Sequence, residues 1–277
     1  MTVNWTLLSP ALIVAASFAF VGLERLFPYN PGQRVFRKGF FLDLVLYGLV
    51  QSWLLGQLIT AFVHWLDGRT GCSRLHLVTA WPLGLQVLFF LVVHDFYIYW
   101  FHRAQHASRT LWRIHEAHHS VHDVDWLSGT RSHALEILIN QTIEFAPIVL
   151  LGATPEVWLI KATIDAIWGM FIHSNLNVRL GVLGVVINGP EMHRWHHARA
   201  LASRDANFAT KIGIWDRVFR TAYRPAERAS DYGLVDEGSY PEGFFGQQLA
   251  AFRWGAEKDL SELTPPRDAL AQFDGSP

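Results

Sequence analysis

Residues 82–106 read PLGLQVLFFLVVHDFYIYWFHRAQH. The stretch from Pro82 is apolar as far as His94-Asp95, turns aromatic as FYIYWF, and then presents His102 and His106. Its first twenty residues, as a helix rising 1.5 Å per residue, cover about 30 Å, the thickness of a bilayer's hydrocarbon core. A membrane-spanning helix that ends in a pair of histidines four residues apart is therefore expected, and the rest of the chain bears on whether it stands alone.

Before it lie two further apolar spans. Trp5 to Phe27 (WTLLSPALIVAASFAFVGLERLF) carries charge only at its far end, in Glu24 and Arg25. Phe40 to Leu66 carries one acid near its start, Asp43, and His64 near its end, with Asp67-Gly68 as the stop. A cleaved signal peptide is the competing reading of the first span, but the preceding MTVN has no Lys or Arg for a positive n-region. After the third span, Leu135 to Val178 is long enough for two helices, with Gly152 to Pro155 (GATP) as the turn of a hairpin that dips in and out from one side. Long buried helices of a soluble protein are the alternative, yet the composition opposes it: 51% of the 277 residues are hydrophobic and 17% charged, against about a quarter charged in ordinary soluble domains. The expected fold is an all-α integral membrane helical bundle of about four spanning helices or hairpin halves, under a cytoplasmic His-rich cap.

Orientation follows from basic residues. Arg25, Arg34, Arg37 and Lys38 lie between the first two spans and only Arg69 and Arg74 between the second and third, so the first loop is expected in the cytoplasm. Alternation then places Phe101-His102-Arg103 and everything after Val178 on the cytoplasmic face. Trp65, Trp81 and Trp100 fall at span ends, where indoles favour the interface. Three regions result: N-terminal transmembrane helices in 1–81, a catalytic region in 82–224, and a polar, Gly/Pro-punctuated C-terminal segment in 225–277, read as a cytoplasmic lid or tail with a disordered end.

Lys+Arg 23 against Asp+Glu 24 gives a net charge of −1, which excludes the basic surface that nucleic-acid binding needs. The single cysteine, Cys72, excludes a Cys-ligated cluster or a four-Cys zinc site, so a metal would have to sit on His and carboxylates. There are 14 histidines, 12 of them between His94 and His197. They gather as His102-Arg-Ala-Gln-His106, His115-Glu-Ala-His118-His119 and His193-Arg-Trp-His196-His197. On a helix, positions i, i+3 and i+4 share a face, so each cluster aims two or three imidazoles at one point. At this His content a His-x-x-His-His string should arise by chance about 0.03 times in the chain, and it occurs twice. Eight clustered imidazoles exceed what one ion can hold, which implies two metals; zinc, copper, iron and nickel all suit imidazole. His64 and His76 read instead as satisfied core residues. Asp95, Glu116, Asp123 and Asp125 either orient imidazole N–H groups or are solvated. Asp95, an acid inside an apolar span, is expected to accept a hydrogen bond from a ligand imidazole or a nearby Arg, and Glu116 is the candidate base within the second cluster.

The order HRAQH, HEAHHS, HSN, PEMHRWHH and then NFATKIGIWDRVFRT resembles the fatty acid hydroxylase/sterol desaturase superfamily, over about residues 85–224. The resemblance implies integral-membrane, non-haem di-iron enzymes in which two irons activate O2 to attack a lipid C–H bond. His102 and His106 match the first box, His115, His118 and His119 the second, and His193, His196 and His197 the third. His173, in Phe-Ile-His173-Ser174-Asn175, matches a further histidine of the family that commonly serves as a ligand. Arg131-Ser-His133 resembles another recurring element. The chain departs from the family where Asn207-Phe208-Ala209 and Phe219-Arg220-Thr221 replace Asn-aromatic-Gly and Phe-Gly-Thr. A glycine suited to tight turns is missing at each place, which bears on loop geometry and substrate class.

The leading expectation is an O2-dependent lipid hydroxylase or desaturase of a bacterial inner membrane or endoplasmic reticulum, acting on a sterol, fatty acyl or ether lipid. Its electrons must come from an external reductant, a separate electron-transfer protein, because the chain has no dinucleotide fingerprint or cysteine cluster. A membrane di-zinc hydrolase with Glu116 as base is the alternative. A His-lined haem or copper carrier is weaker still, since only His94 lies deep in a span.

Overall fold

The computed structural model describes residues 3–253 apart from 201, 202, 204, 236, 237 and 239. Its described residues form helices and connecting loops, with isolated bridges such as Pro28 to Leu176 and no named strand. Three helices are long and apolar enough to cross a membrane: α1 (Trp5–Leu26), α2 (Leu42–Thr70) and α3 (Leu83–Ala107). The first ten residues of α2, Leu42–Gln51, are wound as a π-helix, which sets Asp43, Tyr47 and Gln51 inward. The helix runs past the Asp67-Gly68 stop to Gly71, whose positive φ of 66° lets its N–H cap Asp67 O.

α3 ends at Ser108, whose extended backbone and hydroxyl cap α4 (Arg109–His119), so the chain turns back at once over the end of the bundle. α5 (Ala134–Leu150) and α6 (Pro155–His173) form the expected hairpin. Its turn places Gly152 so close to the 71–81 loop that a Cβ would stand 2.7 Å from Ser73 O. Val78 N–H donates to Leu151 O, which fixes that end of the hairpin against the loop between α2 and α3. The loop between α1 and α2 lies at the other end, where Tyr29 N–H donates to Asn175 O and Gln33 Nε2 to Val124 O. α4 and α7 (Pro190–His196), which carry the second and third histidine clusters, belong to this end.

Packing is apolar at both ends of the bundle. Val87, Phe90, Phe145, Ile148 and Val157 join α3, α5 and α6 near the hairpin turn, and Phe20, Phe40, Trp126, Leu127 and Leu176 close the histidine end. Many large apolar side chains of α1–α3 point outward, Phe18 at 75% exposure and Trp53 at 65% among them, as helices that face lipid require. His64 and His76 do not join the core: both are exposed at the hairpin-turn end, beyond the packed stretch of α2. The C-terminal segment also differs from a free tail over its described part. Tyr232 packs with Val124, Trp195 and Ala229, and α8 (Phe244–Ala250) docks on the π-helical stretch, where Tyr47 Oη donates to Gln247 Oε1. The last residues, expected to be disordered, lie outside the described ones.

Candidate metal centre

The nine candidate ligands converge at the end of the bundle in two groups. Donor atoms of His102, His106, His115, His119 and His196 lie within 4.8 Å of one another, as do those of His118, His173, His193 and His197. Helical spacing sorts them. His102 and His106, one turn apart on α3, fall in one group; on α4, His115 and His119 fall in the same group while His118, on the flank of that face, falls in the other. On α7 and its cap, His193 and His197 join His173 at the end of α6, and His196 crosses to the first group.

Most of these rings are held by their Nδ1 edge. The acceptors are Phe208 O for His102 (2.9 Å), Arg131 O for His118 (3.1 Å), Gly169 O for His173 (2.8 Å) and Ala206 O for His196 (2.9 Å). His115 Nδ1 meets the Glu136 carboxylate at 2.8 Å. A carbonyl or carboxylate can only accept, so each Nδ1 carries the proton and each Nε2 is a bare lone pair. Yet His118 Nε2 and His173 Nε2 stand 3.3 Å apart, and His193 Nε2 is 2.8 Å from His173 Nε2. His196 and His119 meet through Nε2 at 3.1 Å, and His119 and His115 at 3.2 Å. Two neutral lone pairs that face each other repel unless a cation lies between them. Donors bound about 2.1 Å from one ion are about 3.0 Å apart at right angles and about 3.4 Å apart when tetrahedral. The His118–His173, His196–His119 and His119–His115 separations fall in that range and His193–His173, at 2.8 Å, is slightly shorter, so the imidazoles fit two metal ions.

Burial favours the neutral form that metal binding needs. The rings of His115, His119, His193, His196 and His197 are held below the usual imidazole pKa, first by desolvation and then by neighbouring imidazoles, and His118 is lowered first by desolvation and then by the Arg131 charge.

The carboxylate that orients a ring is one the sequence reading passed over. Glu136, buried on the first turns of α5, accepts from His115 and, at 2.9 Å, from Gln105 Nε2 through the same Oε1. The signal was present, since Glu136 is an acid inside an apolar span. Asp95 does something different from what was expected. Its carboxylate takes Thr210 Oγ1 (2.9 Å), Lys211 N–H (3.0 Å), Ile212 N–H (3.0 Å) and Trp215 Nε1 (2.9 Å), rather than an imidazole or an arginine. Asp95 therefore grips the loop after the third box, and that loop supplies the Phe208 carbonyl for His102. Asp216 grips the same loop from its other side, through Phe208 N–H, Ala209 N–H and Thr221 Oγ1. Asp125 likewise binds no imidazole: it pairs with Arg37 at 2.8 Å and caps Leu127 and Ser128. Glu116 is buried on α4 and belongs to neither imidazole group.

His133 caps α5 by accepting Leu135 N–H on Nδ1, and its Nε2 bonds Gln248 O, so both ring nitrogens are used in structure. Arg194, within the third box, is fully buried: it donates to Ser174 O (2.6 Å) and Val124 O (3.0 Å) and lies over Tyr29. It locks α7 to the segments that follow His173 and the second box. Of the two positions where the family's glycine is missing, Arg220 takes a positive φ of 57° and Ala209 does not; Asn207, two residues before Ala209, takes 58°. Asparagine tolerates that conformation; arginine does so at a cost of about 1–2 kcal/mol.

The fatty acid hydroxylase family profile matches residues 87–221, which contain all nine histidines, and over this region the chain belongs to that family. Its relatives include an ornithine lipid hydroxylase of Rhizobium tropici, 33% identical over 67% of this chain and 56% of that one. Alkylglycerol monooxygenases match over shorter stretches: the human protein is 33% identical over 51% of this chain and 31% of its own length, and that of Danio rerio is 34% identical over 54% and 32%. The chain thus spans about half, or less, of the relatives it matches. No solved structure matches it.

Proposed function

We propose that the protein is a membrane-bound, O2-dependent lipid oxygenase in which His102, His106, His115, His119 and His196 hold one iron and His118, His173, His193 and His197 a second. The observation that carries the metal assignment is the 3.3 Å approach of His118 Nε2 to His173 Nε2 while both Nδ1 protons are spent on backbone carbonyls. Iron is preferred over zinc because the family's relatives are a lipid hydroxylase and monooxygenases, and because nine imidazoles without a carboxylate exceed the usual three protein ligands of a zinc hydrolase. Bound iron would supply the reduction of O2 and the oxidation of a lipid C–H bond.

The chain's part is to fix and shield that chemistry. Glu136 stabilises the Nδ1–H tautomer of His115 and strengthens it as a ligand. Asp95 and Asp216 are positioning residues that hold the 206–212 loop, whose carbonyls orient His102 and His196. The bundle lets a lipid chain approach sideways from the bilayer while α4, α7 and the loops keep bulk water off the other face. The histidine end is assigned to the cytoplasm, on the side of Arg25, Arg34 and Lys38, where a separate electron-transfer protein would dock.

The test is a metal count joined to lipid analysis. Purified protein should hold about two irons per chain and oxidise an added lipid only with O2 and a reductant. Full activity with zinc and without O2 would favour a hydrolase instead.

A further inference from the structure

Below the metal centre, inside the bundle, lies a second group of polar residues. Lys161 Nζ on α6 bonds Glu144 Oε1 (2.5 Å) and Asp165 Oδ2 (2.6 Å), and approaches His94 Nδ1 at 3.2 Å. His94, Glu144 and Asp165 have the spacing of a metal site, but the Lys161 ammonium already stands where a cation would. Lys211 continues the chain of charges, 2.9 Å from Asp165 and 3.8 Å from Asp95. Three carboxylates against two ammonium groups leave one formal negative charge with His94 neutral, so the group has room for one more proton.

Two features tie this group to its surroundings. Its outer members are partly open, with the Asp165 side chain 17% and the Lys211 side chain 14% exposed, whereas Lys161 is wholly buried. Its inner end meets a polar stripe between α3 and α5. Glu136, Asn140 and Glu144 recur at i, i+4 and i+8 on one face of α5, about 6 Å apart. α3 offers Gln105 opposite Glu136 (2.9 Å) and His94 opposite Glu144 (3.6 Å), with Tyr97 between them and within electrostatic range of Glu136. Four buried atoms on this stripe have no hydrogen-bond partner among the described residues: His94 Nε2, Tyr97 Oη, Asn140 Oδ1 and Glu136 Oε2. An apolar lipid chain is the wrong filling for such a stripe, since each unpaired group would cost about 1–3 kcal/mol. Water is the filling that would give all four a partner.

We infer that the α3/α5 stripe is a hydrated proton path, running from Asp165 and Lys211 at the surface, by Lys161, Glu144 and His94, past Tyr97 and Asn140 to the side of the metal centre. This rests on the proposed oxygenase function. Hydroxylating one C–H bond follows RH + O2 + 2e− + 2H+ → ROH + H2O: the C–H and O–O bonds break, C–O and O–H bonds form, the electrons come from the electron-transfer protein, and the two protons come from solvent.

The test has one arm independent of catalysis. Hydroxyl radicals generated in bound water by X-ray pulses oxidise the side chains beside it, and mass spectrometry reads the sites in the iron-loaded protein in detergent or lipid. Tyr97 should be labelled well above the dry core residue Phe90, and Asn140→Leu should suppress that labelling several-fold. Tyr97 labelled no faster than Phe90 would overturn the path. In the second arm, Tyr97→Phe and Asn140→Leu should keep their iron and lower product formation by about 10- to 100-fold, at or below the foot of the range for proton transfer by a placed group. Slowed turnover should also acquire a larger solvent deuterium effect, and Asn140→Asp should restore it. Normal turnover in both variants, or a raised KM for lipid at unchanged kcat, would overturn the assignment, the latter by making the stripe a substrate wall. Strong labelling of Tyr97 in a wild-type protein that oxidises no lipid would support the water and refute the oxygenase reading, which separates the two claims.

Discussion

Replacing Glu136 tests whether the two histidine groups are separate sites. One oxygen of this carboxylate accepts both His115 Nδ1–H and Gln105 Nε2–H, at 2.8 and 2.9 Å. In Glu136→Gln the amide oxygen can take over both bonds, so geometry survives while the charge is lost. A hydrogen bond to a charged group contributes about 1.5–3 kcal/mol and a neutral one about 0.5–1.5, so His115 should lose about 1–1.5 kcal/mol of support, close to tenfold in affinity. Glu136→Leu removes the acceptor altogether and should approach the 100-fold end of the range known for residues behind metal ligands. The five-histidine group should respond most, because Glu136 hydrogen-bonds a ring only there and reaches His118 of the other group through its charge alone. Chelator titration with elemental analysis should show one iron leaving at about 10- and 100-fold lower chelator concentration in the two variants while the second stays. Gly129→Ala is the complement: an added Cβ would stand 2.5 Å from His173 Nδ1, so it should displace that ring and release the other iron. Equal weakening of both irons in either variant would refute the division into two groups.

Further outcomes follow from the same geometry. Asp95→Asn leaves about two of four donors facing an amide NH2, at about 1–3 kcal/mol each, so it should lower thermal stability and activity while retaining iron; unchanged melting would show that Asp95 does not hold the loop. Arg220→Gly relieves a positive φ and should change stability by no more than about 1 kcal/mol in the favourable direction, read by thermal denaturation. The pH response of metal-free protein has a definite sign. The six cap imidazoles have folded pKa values below their unfolded ones, so the unfolded chain binds more protons, and stability should fall as pH drops below about 6.5, by up to about 1.4 kcal/mol per pH unit for each ring. Denaturation between pH 7.5 and 5.5 checks it, and a flat profile contradicts it.

Eight of the nine histidines were legible because helical spacing brings i, i+3 and i+4 together and because imidazole runs are rare; His173, alone at the end of α6, was marked only by the family resemblance. Their division between two groups was not, since it depends on how α4 and α7 cross: His118 and His196 each leave their sequence neighbours for the opposite group. Spans were legible from hydrophobicity, yet the π-helical start of α2 leaves no signature in apolar content. Asp95 shows a limit of another kind. Its position in a span marked it as needing partners, but those partners are two backbone amides, a threonine hydroxyl and an indole more than a hundred residues away, which no local pattern encodes. Glu136 and the Lys161 group were hidden inside a stretch read only for its average apolarity, where individual charges carried the information.

The oxygen source tests the central claim most directly. Iron-loaded protein in lipid, supplied with a reductant and 18O2 in ordinary water, should yield a hydroxylated lipid that carries one 18O atom. A lipid product that takes its oxygen only from H2 18O under ordinary O2, and that forms equally without O2, would contradict the oxygenase and point to metal-activated hydrolysis at the same histidines.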